Sequence, residues 1–326
     1  MRRIVANLLC EDELARAFGP PLRVRASPSR AALATASRLA PRLRVFAREG
    51  DHLWTPESGP LRELSAADEV LAWCETPDAW AHRGGPRPPV AFSLDAPLYE
   101  LLWNLPTPEP SAVAAVHHRS FHLQVAEEIG CALPGARMVA SPAELERALR
   151  GFTRSWVVKA PFSAAGRDRY IARTGQALSD AKARRTVERL FEHHGALLFE
   201  PWMERTADFG VSALLTPSEL RIVGLHGQKV ERKGQFAGID LRPELPTEDR
   251  ERLLETVHAV AAALRRSGYV GPFGIDAWSY RGWDGESVLN PLGEINARMT
   301  FGLVEWALAE RGSGRGRDGP PSRRES

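Results

Sequence analysis

GEINARMTFG, residues 293–302, sets an acid, an amide and a guanidinium at two-residue steps inside a run that is otherwise small or apolar. Side chains of a strand alternate faces, so Glu294, Asn296 and Arg298 point the same way from any strand that contains them. Just upstream, RGWDGES at residues 281–287 carries Asp284-Gly285, a short hairpin signal, and GPFGIDAWSY at 271–280 reads as the partner strand. A turn centred at residues 284–286 pairs positions whose numbers sum to about 570, which sets Asp276 opposite Glu294 and Gly274 opposite Asn296. Asp276, Glu294 and Asn296 then share one face of one ribbon. Two carboxylates and an amide oxygen suit a hard cation of low protein-ligand count, Mg2+ with Mn2+ as its substitute, that keeps waters and takes phosphate oxygens. Arg298, one step along, can grip a phosphoryl or carboxylate group in bidentate fashion. A solvated hairpin face carries the same residues, but the apolar flanks argue for burial, where an unpaired acid is costly. Pro291 can shift the pairing by a residue or two.

Two further stretches lie upstream. VVKAPFSAAGRDR ends an apolar strand in Lys159 and follows it with a loop of small residues, Ser163, Ala164, Ala165 and Gly166. An ammonium beside several backbone N–H groups can surround a polyphosphate. The GxxxxGK[ST] loop is absent, and a lysine leaving a strand can equally be solvated. Only four lysines occur among 43 basic residues, so each one draws notice, because a compact ammonium does what a planar guanidinium does not. LLFEPWMERTADFGV runs a strand into Glu200, Pro201, Trp202 and Met203 and then reaches Asp208. Backbone groups of such a hinge can read an adenine edge while a carboxylate accepts ribose hydroxyls.

Taken in order, the strand lysine, the small-residue loop, the acidic hinge and the terminal D…ExN set resemble the ATP-grasp superfamily over roughly residues 111–310. The resemblance implies an α/β protein in which two α+β lobes sandwich ATP, preceded by a small open-sheet α/β lobe. It implies that Lys159 meets the phosphates, that the loop Phe162 to Gly166 closes over them, and that Glu200 and Met203 border adenine. Asp208 would reach the ribose; Asp276, Glu294 and Asn296 would hold Mg2+; Arg298 would face the reacting phosphoryl group. Where such proteins often carry a lysine in the helix before the small lobe, HHRSFHLQVAEEIG offers Arg119, which keeps the charge and changes the geometry.

The organisation expected is an N-terminal α/β lobe at 1–110, a small lobe at 111–195, a large lobe at 196–311 and a disordered tail at 312–326. RRIVANLL, LRVFARE, EVLAWC and PVAFSL read as strands of the first lobe. SAVAAVHHRSFHLQVAEEIG, 111–130, reads as one helix, and SPAELERALRGF as another, with Ser141 capping and Glu144 completing a capping box. The tail GSGRGRDGPPSRRES has no apolar residue beyond Gly and Pro.

A net charge of +2 leaves no broad electrostatic footprint for nucleic acid or an anionic membrane. Three scattered cysteines, Cys10, Cys74 and Cys131, offer neither a disulfide framework nor a CxxC pair and suit a reducing compartment. The opening MRRIVANLLCEDELAR reads as a first strand and not a signal peptide, and no run approaches a membrane span, so a cytoplasmic protein is expected.

The activity implied is ATP-dependent joining of a small carboxylic acid to an amine through an acyl phosphate. Open alternatives are a phosphotransferase or carboxylase on the same site, or a nucleotide-binding protein without catalysis; a homodimer also stays open. HGQKVERKGQFAGID, with His226, Lys229, Arg232 and Lys233, can border the acceptor site or form a charged surface hairpin. His117-His118 and His193-His194 are expected on exposed helix surface, because adjacent helix residues point apart.

Overall fold

The computed structural model describes residues 1–20, 28–65, 67–87, 92–163, 167–173, 178, 180–230, 236–282 and 284–314. Ala164, Ala165, Gly166, Arg232, Lys233 and the tail from residue 315 onward lie outside them.

The N-terminal unit is a parallel sheet of β1 (Arg2–Val5), β2 (His52–Trp54) and β3 (Glu69–Ala72), in the order β2-β1-β3. Around it lie α1 (Cys10–Phe18), α2 (Arg30–Leu39), α3 (Pro77–Arg83) and α4 (Leu98–Asn104). Ser29 and Thr76 cap α2 and α3 through their hydroxyls. The segment expected as a strand, LRVFARE, instead lies largely in a 3-10 helix, Ala40–Phe46, with Pro41 in its first turn. Its decisive feature is period three: Ala40, Leu43 and Phe46 are all fully buried, the spacing on which a 3-10 helix stacks side chains. Of PVAFSL, residues 89–91 are outside the described residues, and Phe92–Leu94 form no strand.

The single helix expected over 111–130 is two helices, α5 (Pro110–His117) and α6 (Arg119–Glu128). His118 breaks it with extended backbone, φ −67° and ψ 131°, and its ring accepts from the Ser120 amide as the cap of α6. Arg119 thereby becomes the first residue of a helix and not a mid-helix side chain.

A four-stranded antiparallel sheet follows, with β4 (Arg137–Val139), β5 (Trp156–Lys159), β6 (Arg169–Ala172) and β7 (Leu197–Pro201) in the order β4-β7-β5-β6. Helices α7 (Pro142–Ala148) and α8 (Ala181–His194) pack on it around Trp156, Val158, Val187, Phe191 and Phe199. Ser141 caps α7 by accepting from the Glu144 amide, while Glu144 Oε2 accepts from the Ala140 amide, one residue short of the expected reciprocal bond. Because β7 belongs to this sheet, the division drawn at 195/196 moves to after Pro201. Helices α5 and α6 pack into the larger core, so the small unit runs from Arg137 to Pro201.

The large unit is an antiparallel sheet of β8 (Arg205–Leu215), β9 (Leu220–Val230), β10 (Phe236–Asp240), β11 (Gly271–Arg281) and β12 (Ser287–Asn296), ordered β10-β9-β8-β11-β12. Helix α9 (Thr247–Arg266) covers one face with Leu253, Val257, Val260 and Leu264. Its apolar stripe recurs at three- and four-residue steps, as a core-facing helix requires. Helix α10 (Phe301–Gly314) packs on β8 and β9 and extends past the expected start of the tail at 312. One apolar core runs without a break from the N-terminal sheet through α5 and α6 to this large sheet. Among the described residues no helix is long and apolar enough to cross a membrane.

Candidate active site

The β11–β12 ribbon pairs Asp276 with Glu294 and Gly274 with Asn296, the register expected from the sequence. It does so by an unexpected route. The hairpin itself pairs Arg281 with Ser287 and Trp278 with Asn290, whose numbers sum to 568, so the turn sits one residue earlier than expected. Gly285 at φ 88° makes that turn, and Asp284 Oδ1 accepts from the Glu286 amide. An irregularity between Asp276 and Trp278, beside Pro291, then adds two residues to β12 and restores the sum of 570 at the site.

Asp276 lies among polar partners. Gln228 Nε2 donates to its Oδ1 at 2.7 Å and Asn296 Nδ2 to its Oδ2 at 3.1 Å. Burial, and then the charge of Glu294, raise the Asp276 carboxyl to about 6, against the pull of those two hydrogen bonds. Two acids forced together in a cleft are what a divalent cation relieves. Among the described residues no three His, Cys, Asp or Glu side chains gather around a metal position; beside the two acids the ribbon adds the amide of Asn296. The chemistry of the set, all oxygen with two negative charges, fits Mg2+ or Mn2+.

The small unit faces this ribbon. Lys159, the last residue of β5, forms an ion pair with Glu200 on the neighbouring strand β7. Burial holds its ammonium below the ordinary lysine value, with Glu200 opposing and Arg119 adding to the shift. Arg119, 6% exposed, ties three parts together. Its Nε donates to the Ala160 carbonyl at 3.0 Å, and its Nη2 reaches Ser163 O at 3.2 Å, Ser163 Oγ at 3.3 Å and Glu294 Oε1 at 3.4 Å. The guanidinium thus links the start of the loop after β5 to the Glu294 carboxylate, using the several donors that a lysine lacks. His118 meets Phe162 edge-on at 5.2 Å and steadies the same loop start.

At the hinge, the Trp202 amide donates to Ser155 O at 2.9 Å, extending the β5–β7 ladder, and Arg169 lies 5.5 Å over the Trp202 ring. Pro201 and Met203 are buried. Asp208 accepts from Arg205 Nη1 at 2.9 Å, and Arg205 lies 4.7 Å over Trp278. Between the two units a narrow cleft, partly open to solvent, is lined by Arg119, His122, Leu198, Glu200, Asn290 and Leu292. The structure thus joins Ser163 to Glu294 through Arg119, pairs Lys159 with Glu200, and sets Asp276, bonded to Asn296, opposite Glu294.

Arg298 has a partner that the sequence reading did not anticipate. Its Nε donates to Glu11 Oε1 at 2.9 Å and its Nη1 to Met299 O at 3.1 Å, with its guanidinium 5.5 Å from the Trp73 ring. Glu11 comes from α1, in the lobe where no motif was legible. Burial pushes its carboxyl up, but Arg298 and then His117 outweigh that and hold it below the ordinary value. Gln228 is the second residue missed; its signal was a place two residues from His226 on a strand paired to the β8 stretch opposite Asp276. The histidines correct an expectation in part, since His193 is exposed as expected and His118 is half-buried. His117 and His194 are buried at 7% exposure, and burial lowers the His117 ring to about 4 despite Glu11 nearby.

No protein-family model matches the chain, and no curated protein matches its sequence. Solved structures do match in fold. N5-carboxyaminoimidazole synthetase from Staphylococcus aureus, complexed with ADP, aligns with TM-score 0.51 at 10% identity over 92% of this chain and 70% of that one. Biotin carboxylase from Campylobacter jejuni aligns with TM-score 0.52 at 14% identity over 93% and 67%. D-alanyl-alanine synthetase A from Vibrio cholerae aligns over 58% of this chain and 57% of its own, with 15% identity and TM-score 0.46. The architecture is the ATP-grasp fold. The chain spans 57% of the Vibrio synthetase's length and about 70% of the longer-matching enzymes'.

Proposed function

We propose that the protein is an ATP-dependent ligase that activates a small carboxylic acid as an acyl phosphate and passes the acyl group to an amine. In that reaction a carboxylate oxygen attacks the γ-phosphorus, the bond to the β-phosphate oxygen breaks, and ADP leaves. The amine then attacks the acyl carbon, loses a proton, and inorganic phosphate leaves. The observation that carries the reading is the single polar face on which Asp276, Glu294 and Asn296 adjoin Arg119, within reach of the lobe that holds Lys159.

Asp276, Glu294 and Asn296 are the residues that would hold Mg2+, which when bound neutralises phosphate charge. Lys159, released from Glu200, supplies an ammonium to the phosphates, and Arg119 keeps the loop start at Ala160 and Ser163 fixed beside them. Arg298 offers its guanidinium to the charge that builds on the acid and the phosphoryl group. Such a step needs positioning and charge neutralisation more than a protein nucleophile. The segment Glu200 to Met203 would border adenine, and Asp208 would exchange Arg205 for ribose hydroxyls.

The deciding experiment is ADP release from Mg-ATP across a panel of amino acids, small carboxylic acids and amines. Bicarbonate belongs in the panel, because the structures aligning above TM-score 0.5 include a biotin carboxylase and an N5-carboxyaminoimidazole synthetase. Acid-dependent ADP release supports the reading. Tight Mg-ATP binding with no turnover against any acid would leave a noncatalytic nucleotide binder in its place.

A further inference from the structure

We propose that Glu11 and Asp12, neighbouring carboxylates in the first turn of α1, are positioning residues for the transfer step: Glu11 aligns Arg298 and Asp12 aligns Arg167. The inference rests on the nucleotide reading above and assigns the N-terminal lobe a part in it.

Both acids are buried, Glu11 at 3% and Asp12 at 4% exposure, and each meets an arginine from a different unit. Glu11 Oε1 accepts from Arg298 Nε at 2.9 Å, just beyond β12 of the large unit. Asp12 Oδ2 accepts from Arg167 Nη1 at 2.7 Å, just before β6 of the small unit. Consecutive helix residues point in directions about 100° apart, so one helical turn can hold two separate partners. Arg167 stands at the base of the loop after Lys159, where the Ala160 amide donates to Asp168 O at 2.9 Å and Asp168 adopts a left-handed φ of 48°. One turn of α1 is therefore bonded to both edges of the region between the phosphate-type loop and the carboxylate ribbon.

The bonding pattern of Arg298 distinguishes positioning from mere packing. Its Nε is taken by Glu11 and its Nη1 by Met299 O, while Nη2 carries no hydrogen bond among the described residues. Those two bonds fix the guanidinium plane and leave one nitrogen to offer an anion. A charge-assisted bond from Glu11 sets which nitrogen that is. Removing the Glu11 charge leaves Arg298 in place but free to rotate, so the loss should fall on the anion and not on the nucleotide.

The test uses the full chain, with Mg-ATP, Mg-ADP and inorganic phosphate as probes in calorimetry. Glu11→Gln keeps shape and removes charge. The expected result is Mg-ADP affinity within about twofold of the parent and phosphate affinity in the Mg-ADP complex weaker by about tenfold, the size of one charge-assisted hydrogen bond. Asp12→Asn should weaken phosphate in the same direction. In an Arg298→Gln background, Glu11→Gln should add no further loss, since its effect runs through that arginine. Glu11→Asp retains charge and should hold phosphate better than Glu11→Gln, which keeps the test open if the glutamine variant folds poorly. Phosphate affinity unchanged in Glu11→Gln, or an equal loss with and without Arg298, overturns the inference. A parent chain that binds no Mg-ATP fails at the earlier step and removes the nucleotide reading itself.

Discussion

Gln228 reaches Asp276 across an intervening strand, and Gly210 is the residue that lets it pass. Gly210 pairs with Asp276 on one side and His226 on the other, and Gln228 Nε2 meets Asp276 Oδ1 at 2.7 Å over that gap. A Cβ at 210 would fall 2.5 Å from His226 Nε2 and 3.2 Å from Gln228 Nε2. The imidazole is boxed in from the other side by Gly302, so it has little room to retreat. Gly210→Ala should therefore cost about 1–3 kcal/mol, the usual penalty of overpacking, and loosen the Asp276 carboxylate. Thermal melting and a Mg-ATP titration read the two effects; a variant that matches the parent in both would refute the gap.

Glu294→Gln removes one of the two acids while keeping the shape of the side chain. The carboxylate stands opposite Asp276, and Arg119 approaches it at 3.4 Å. With the like charge gone the Asp276 carboxyl returns toward its ordinary value, so the fold should hold. Mg-dependent ADP release should fall to background. Turnover equal to the parent's would count against the carboxylates as a cation site.

The register that joins these residues was legible because a hairpin reduces to arithmetic: one Asp-Gly turn and an alternating strand determine which side chains meet. The arithmetic gave the right pairs through two departures that cancel, a turn one residue early and the irregularity near Pro291. Lys159, Glu200 and Ser163 were legible as strand ends and loop residues, since local pattern sets those positions. Glu11 was not, because 287 residues separate it from Arg298 and nothing local in CEDELAR distinguishes a buried acid from a solvated one. The break at His118 was hidden for a related reason: the residues favour one continuous helix, and contacts with the Ala160–Ser163 loop draw Arg119 aside. The segment Ala40–Phe46 shows tertiary burial overriding an alternating pattern, since only its every-third residue is fully enclosed.

Lys159→Ala separates nucleotide affinity from fold. The ammonium pairs with Glu200, and bound phosphates would compete for it. The variant should bind Mg-ATP at least about tenfold more weakly, corresponding to about 1.4 kcal/mol, with Glu200 left to the solvent of the cleft. Calorimetry measures the affinity directly. An unchanged Kd would make Lys159 a partner of Glu200 and nothing more.

The acid sensitivity of the fold should trace in part to His226. Its ring is 4% exposed, and burial lowers it to about 4 from an ordinary 6.5, opposed by the nearby Gly224 carbonyl. In the folded chain the imidazole stays neutral across that interval, whereas in the unfolded chain it takes a proton near 6.5. The unfolded state thus binds the extra proton, and stability is lost as pH falls from about 6.5 toward 4, by up to about 3 kcal/mol for this one ring. His117, also lowered to about 4, acts in the same direction, so the parent's Tm should drop between pH 7 and pH 5. Raised carboxylates such as Asp276 work the other way over part of the range, which is why the informative quantity is a difference. His226→Gln removes the ring's titration, and its Tm should fall less steeply over the same pH steps than the parent's. Two parallel curves would show that His226 is protonated without cost, and hence that it does not sit in the enclosed site between Gly210 and Gly302.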